Sequence, residues 1–106
     1  MKRFLLLILV AISAQVSASN EGDLETLKTG KKCIDCNFSE ANLSYAELIE
    51  ANLAKSDLVG ANLVGANLTE ANLAGTNLTG ANLTEANLTR TDLTRANLTG
   101  ASLTRA

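Results

Sequence analysis

From residue 38 to residue 103 a large apolar side chain recurs at every fifth position without a slip. The series is Phe38, Leu43, Leu48, Leu53, Leu58, Leu63, Leu68, Leu73, Leu78, Leu83, Leu88, Leu93, Leu98 and Leu103. A straight α-helix cannot use this spacing. Five residues at about 100° each leave successive leucines about 140° apart, so they would spiral around the cylinder. A straight strand fails too, because side chains alternate with period two and an odd spacing sends each leucine to the opposite face. The remaining path turns a corner once per repeat. Each unit is then one short side of a coil, with its leucine pointing inward. Units this short cannot bury a core alone, but stacked they can, which defines a solenoid.

The other positions of the repeat agree. Two residues before the central leucine stands Ala, at Ala41, Ala46, Ala51, Ala61, Ala66, Ala71, Ala81, Ala86, Ala96 and Ala101, with the small Cys36, Ser56, Thr76 and Thr91 as exceptions. Two residues is one strand period, so this position shares the inward face with leucine. The residue before the centre is nearly always Asn and is expected to face solvent. Within the repeats, Gly occurs only two residues after the centre, at Gly60, Gly65, Gly75, Gly80 and Gly100. A corner running from the centre to the next Ala makes this the third residue of a four-residue turn. A type II turn needs φ > 0 there, which Gly supplies at least cost.

The units "ANLTE", "ANLVG", "SDLVG" and "TDLTR" resemble the A(D/N)LXX motif of the pentapeptide-repeat family, over residues 36–106. The resemblance implies a right-handed quadrilateral β-helix with four repeats per coil, about 3.5 coils here. Residues twenty apart would then stack at about 4.8 Å, the inter-strand spacing. That register sets Glu70 against Arg90 and Glu85 against Arg105. It also sets Glu50 beside Glu70, a like-charge pair.

The first eighteen residues are of another kind. Lys2 and Arg3 precede an apolar run from Phe4 to Ile12, and Val16-Ser17-Ala18 supplies small residues. This is the layout of a secretory signal peptide over residues 1–18, cleaved after Ala18. The run is about half the length of a bilayer-spanning helix, so no stable membrane anchor is expected after cleavage. The chain is read as exported, to a periplasm, a lumen or the exterior. Residues 19–35 are expected to hold a short capping helix, with Ser19 or Asn20 as cap, Leu24 and Leu27 at helical spacing and Gly30 as a stop. Cys33 falls on a centre position and Cys36 on the following Ala position, so both flank one corner. Residues that open and close a β-turn lie within disulfide range, and an oxidising compartment favours the bond. A structural Cys33–Cys36 disulfide is expected rather than a redox dithiol. At the far end the last coil is expected to meet a second subunit, giving a homodimer.

Composition narrows function further. The sequence has no His, Trp or Pro, and its formal net charge is −2. A nucleic-acid partner would call for an excess of Lys and Arg, so none is expected. No catalytic set, metal cluster or cofactor motif stands out, and Glu47 and Glu50 read as solvated surface charges. The expectation is a non-catalytic scaffold for an unidentified protein partner. Two alternatives remain. A cytoplasmic product could mimic DNA and bind DNA gyrase, a role the resemblance suggests for acidic members of the family. Alternatively, the threonines from Thr69 to Thr104 could order water or ice. The seven Asn-x-Ser/Thr sequons are by-products of the repeat.

Overall fold

The computed structural model describes Gly22, Asp23, Thr26, Leu27 and residues 32–106. The expected signal peptide over residues 1–18, and Ser19, Asn20, Leu24 and Gly30 of the expected cap, lie outside the described residues.

Residues 32–106 form a four-sided coil. Parallel bridges, each one residue wide, join positions twenty apart, from Lys32 with Asn52 to Asn82 with Ser102. Four five-residue repeats therefore complete each turn. One side carries Cys33, Leu53, Leu73 and Leu93. Going round, the next carries Phe38, Leu58, Leu78 and Leu98, then Leu43, Leu63, Leu83 and Leu103, then Leu48, Leu68 and Leu88. The ladder begins at Lys32, so the Cys33–Cys36 corner belongs to the first coil.

The corners follow from sterics. Every fifth residue from Asp35 to Arg105 has positive φ, and each stands third in a four-residue turn. The turn is closed by an N–H to C=O bond from the inward small residue to the centre, as in Ala41 to Phe38 at 3.0 Å and Ala66 to Leu63 at 3.0 Å. With φ positive at the third residue alone, these are the type II turns that the glycine positions imply. Only five of the corners use Gly; the other ten place Asp, Glu, Tyr, Lys or Arg in the left-handed region.

One repeat, Ala61 to Gly65, shows how the backbone is satisfied. Ala61 N–H closes a turn to Leu58, and Asn62 N–H reaches back one coil to Ala41. Leu63 and Gly65 N–H reach forward to Asn82 and Thr84. The fifth donor, Val64 N–H, is taken by Asn62 Oδ1 at 3.0 Å. No donor of the unit is left over, which is what a water-poor stack requires.

The Asn column is therefore not a passive solvent-facing ladder. In twelve repeats from Asn37 to Asn97 the Asn or Asp Oδ1 accepts the N–H two residues on, as in Asn67 with Thr69 at 3.1 Å. Where Thr follows, its hydroxyl often donates to the same oxygen, at 2.6 Å in Thr69. The short side chain mimics a backbone turn, the role Asn and Asp play in Asx-turns. Asp92 does the same, and the bonds from the Thr94 hydroxyl and N–H hold its carboxyl below the ordinary carboxylate range despite some desolvation. Asn67→Ala is expected to leave the Thr69 N–H without its partner and cost about 1–2 kcal/mol, whereas Asn67→Asp should cost little. Urea denaturation of the two variants checks it.

The core is a column of leucines. From Phe38 to Leu83 every centre is fully buried, and the inward alanines between them are 0–2% exposed. Leu88, Leu93 and Leu98 are partly buried, and Leu103 is 43% exposed at the last coil. At the opposite end Leu27, in a helical position, is fully buried against the same core.

Candidate functional site

Two features stand apart from the repeat: the disulfide corner, and the side chains carried on the other corners. Cys33 and Cys36 form a disulfide with their Cα atoms 5.6 Å apart. The repeat register brings them together, since they occupy the first and last positions of one turn. Cys33 N–H is bonded to Asn52 O at 2.8 Å and Asp35 N–H to Ala54 O at 2.9 Å, so the second coil holds the corner.

The turn bond made at the other corners is replaced here. Ser56 Oγ accepts the Cys36 N–H at 3.1 Å and donates to Cys33 O at 2.8 Å. One hydroxyl thus bridges the two backbone groups that would otherwise bond directly. Ser56 is 1% exposed. The sequence marks Ser56 only as a break in the alanine series, one coil after Cys36, and does not show its bonding partners. Asp23, in a helical position before the coil, also reaches the corner: its Oδ2 accepts the Asn37 N–H at 2.6 Å. Nothing in the sequence separated this Asp from an ordinary helix-start acid.

The other inward hydroxyls are also engaged. Thr76, 1% exposed, donates to Leu73 O, and Thr91 donates to Leu68 O. These bonds satisfy backbone acceptors inside the coil and leave no reactive group poised for chemistry.

Corner residues form four vertical columns. Glu70 and Arg90 pair at 3.1 Å, and Glu85 and Arg105 at 2.6 Å, each across one coil. All four side chains are substantially exposed, so each pair contributes under about 1 kcal/mol. In the column of Tyr45, Gly65, Glu85 and Arg105, the Tyr45 ring packs against Gly65. A Cβ on Gly65 would overlap Tyr45 Cε1, so a side chain there would displace the ring. Tyr45 is 69% exposed, the most exposed large apolar residue described. Glu47 replaces Asn in its column, and its Oε1 is buried without a hydrogen-bond partner.

At the last coil a shallow, open depression lies beside Glu85, Leu88 and Arg105. It has no converging acid, base or nucleophile.

A family model described as Pentapeptide repeats (8 copies) matches residues 32–69 and 66–105. Among solved structures, the chain is similar to a pentapeptide repeat protein, Rfr23, from the cyanobacterium Cyanothece 51142. Identity is 38% and the TM-score 0.52, over 67% of this chain and 46% of that one. The present chain thus spans about half the length of that relative. Similarity also extends to alr5209, a pentapeptide repeat protein from Nostoc Pcc 7120, at 30% identity and TM-score 0.46, over 76% of this chain and 72% of that one. A third, HetL from Nostoc sp. Strain PCC 7120, is a pentapeptide repeat protein involved in heterocyst differentiation regulation. It is 28% identical with a TM-score of 0.40, over 68% of this chain and 44% of that one. Comparison with curated protein sequences finds no match.

Proposed function

The chain belongs to the pentapeptide-repeat family, whose members fold as right-handed quadrilateral β-helices, and we propose that it is a non-catalytic, exported scaffold that binds a protein partner through its corners. The observation that carries this reading is the residue choice at positive φ. A left-handed backbone costs an ordinary residue about 1–2 kcal/mol that Gly avoids. Ten corners nevertheless carry large or charged side chains, among them Tyr45, Glu50, Lys55 and Arg95. Strain kept at surface positions favours a recognition role for those side chains. The flat sides, by contrast, spend their Asn oxygens on the coil's own backbone and their Thr hydroxyls on those oxygens.

The corners therefore trade stability for surface chemistry. Glu50→Gly is expected to leave stability unchanged or raise it by up to about 1 kcal/mol, since it relieves the left-handed strain and the repulsion from Glu70. A thermal melt checks the sign. For binding, a photo-crosslinking residue placed at Tyr45 or Glu50 in the native host should yield one discrete adduct. The same group at Asn62, on a flat side, should yield little. Equal adducts from side and corner, or none from any corner, would sink the proposal.

Export belongs to the same proposal, supported by the signal-like leader and by the disulfide, which oxidising compartments favour. An intact mass without reductant, starting at Ser19 and lighter by two hydrogens, is the expected result. A full-length reduced mass would overturn it. Pairing of two copies through the C-terminal coil is a further part of the proposal, and a strict monomer in sedimentation at high concentration would overturn it.

The alternatives have less support. A DNA mimic needs continuous acidic stripes, but Arg90 and Arg105 neutralise two columns, and the described residues span only 28 Å in their longest dimension. A water-ordering face needs free hydroxyls, whereas Thr69, Thr79, Thr84, Thr89 and Thr99 all donate to Asn Oδ1.

A further inference from the structure

We propose that the first corner has a second state: with the Cys33–Cys36 disulfide reduced, Cys33, Cys36 and Asp23 form a three-donor site for a thiophilic divalent cation, zinc being the ion that fits. The two sulfurs and an Asp23 carboxylate oxygen lie within 4.8 Å of one another. They come from two parts of the chain, Asp23 from a helical position before the coil and the cysteines from its first corner. Their chemistry is selective. Two thiolates and one carboxylate suit zinc, which takes sulfur at about 2.3 Å and carboxylate oxygen at about 2.0–2.2 Å in tetrahedral array.

The corner is built to keep its shape without the S–S bond. Ser56 Oγ ties Cys36 N–H to Cys33 O, and the second coil holds Cys33 and Asp35 by their amides. The Cα atoms therefore stay near 5.6 Å apart after reduction, while the sulfurs open to the spacing of about 3.8 Å that a tetrahedral ion sets. Asp23 is likewise oriented. Its Oδ2 is held by the Asn37 N–H, and a carboxylate keeps further lone pairs for a metal. Cys33 is buried, while Asp23 and Cys36 are half-buried, so an ion can enter from one side and bind with little competing water.

The steps balance. A dithiol reductant supplies two electrons and two protons; the S–S bond breaks, two thiols form, and the reductant becomes a disulfide. Zinc then displaces both thiol protons and accepts two Cys sulfurs and one Asp oxygen, leaving its fourth position to water. The oxidised corner offers no thiolate and binds nothing.

The test is a zinc titration of the full chain against a chromogenic chelator, in oxidised and reduced forms, with far-UV circular dichroism on each. The reduced chain is expected to take up one zinc, and the oxidised chain none. Asp23→Asn keeps an acceptor for Asn37 N–H but loses the charge, and should weaken zinc at least about tenfold, since losing a ligand should cost no less than losing a group that merely orients one. Cobalt in place of zinc should give thiolate-to-metal charge-transfer absorption in the reduced chain, lost in Cys36→Ser. No uptake by a folded, reduced chain at micromolar zinc would overturn the proposal. So would equal affinity in Asp23→Asn, which would leave a bare dithiol, or a reduced chain that loses its β signal, since the donors would then be scattered.

Discussion

Leu63→Ala is expected to destabilise the protein by about 3 kcal/mol, the largest effect of any single truncation considered. Leu63 is fully buried in the second coil, with Leu43 on one side of it and Leu83 on the other in the same column. Its removal leaves a void that cannot close, because the backbone above and below is fixed by hydrogen bonds of 2.7–2.9 Å through Leu63 and Asn62. A folded unit of this size has a net stability of about 4–11 kcal/mol, so the loss is a large share of it. Thermal unfolding should fall by roughly 10–20 °C. Leu103→Ala is the internal control. The same truncation at a 43% exposed position in the last coil should cost under about 1 kcal/mol. If the two variants melt together, the leucine column does not hold the fold.

The second large effect comes from the opposite change. Ala66→Leu is expected to cost about 3 kcal/mol, at the upper end for overpacking. Ala66 is fully buried between Ala46 and Ala86, one coil away on either side. Each side of the coil has room for one large and one small inward residue, and the neighbouring turns cannot move apart without breaking the ladder. Ala101→Leu, in the half-open last coil, should be tolerated. Urea midpoints give the comparison, and an unchanged slope would show that both variants unfold from the same compact state. Equal midpoints would mean the interior is looser than its burial implies.

These predictions rest on features the repeat made legible to different degrees. The leucine period excluded helix and straight strand and left a turn once per five residues. The glycines at 60, 65, 75, 80 and 100 then located the positive φ correctly, although two-thirds of the corners do without Gly. The pairing of Glu70 with Arg90 needed the coil length as well, which came from the family resemblance and not from spacing. What stayed hidden was side-chain direction. Periodicity put Asn beside the leucine on the outer face, but could not show that its oxygen folds back to the N–H two residues on. Ser56 and Asp23 were hidden for a related reason. Their partners lie 20 and 14 residues away, and only the closed coil brings them together.

The bridges between positions twenty apart also give the chain a reading frame at the level of protein. Losing twenty residues from the middle would remove one turn and restore every column. Losing five would keep leucine facing leucine yet rotate all later residues by one side: a loss between Glu70 and Arg90 would part that ion pair, and one between Tyr45 and Gly65 would take the ring off its glycine. Losing one would send the interior outward from that point on. Length in such a molecule varies by quanta: the smallest step the core tolerates is a side, and the smallest step the surface tolerates is a whole coil.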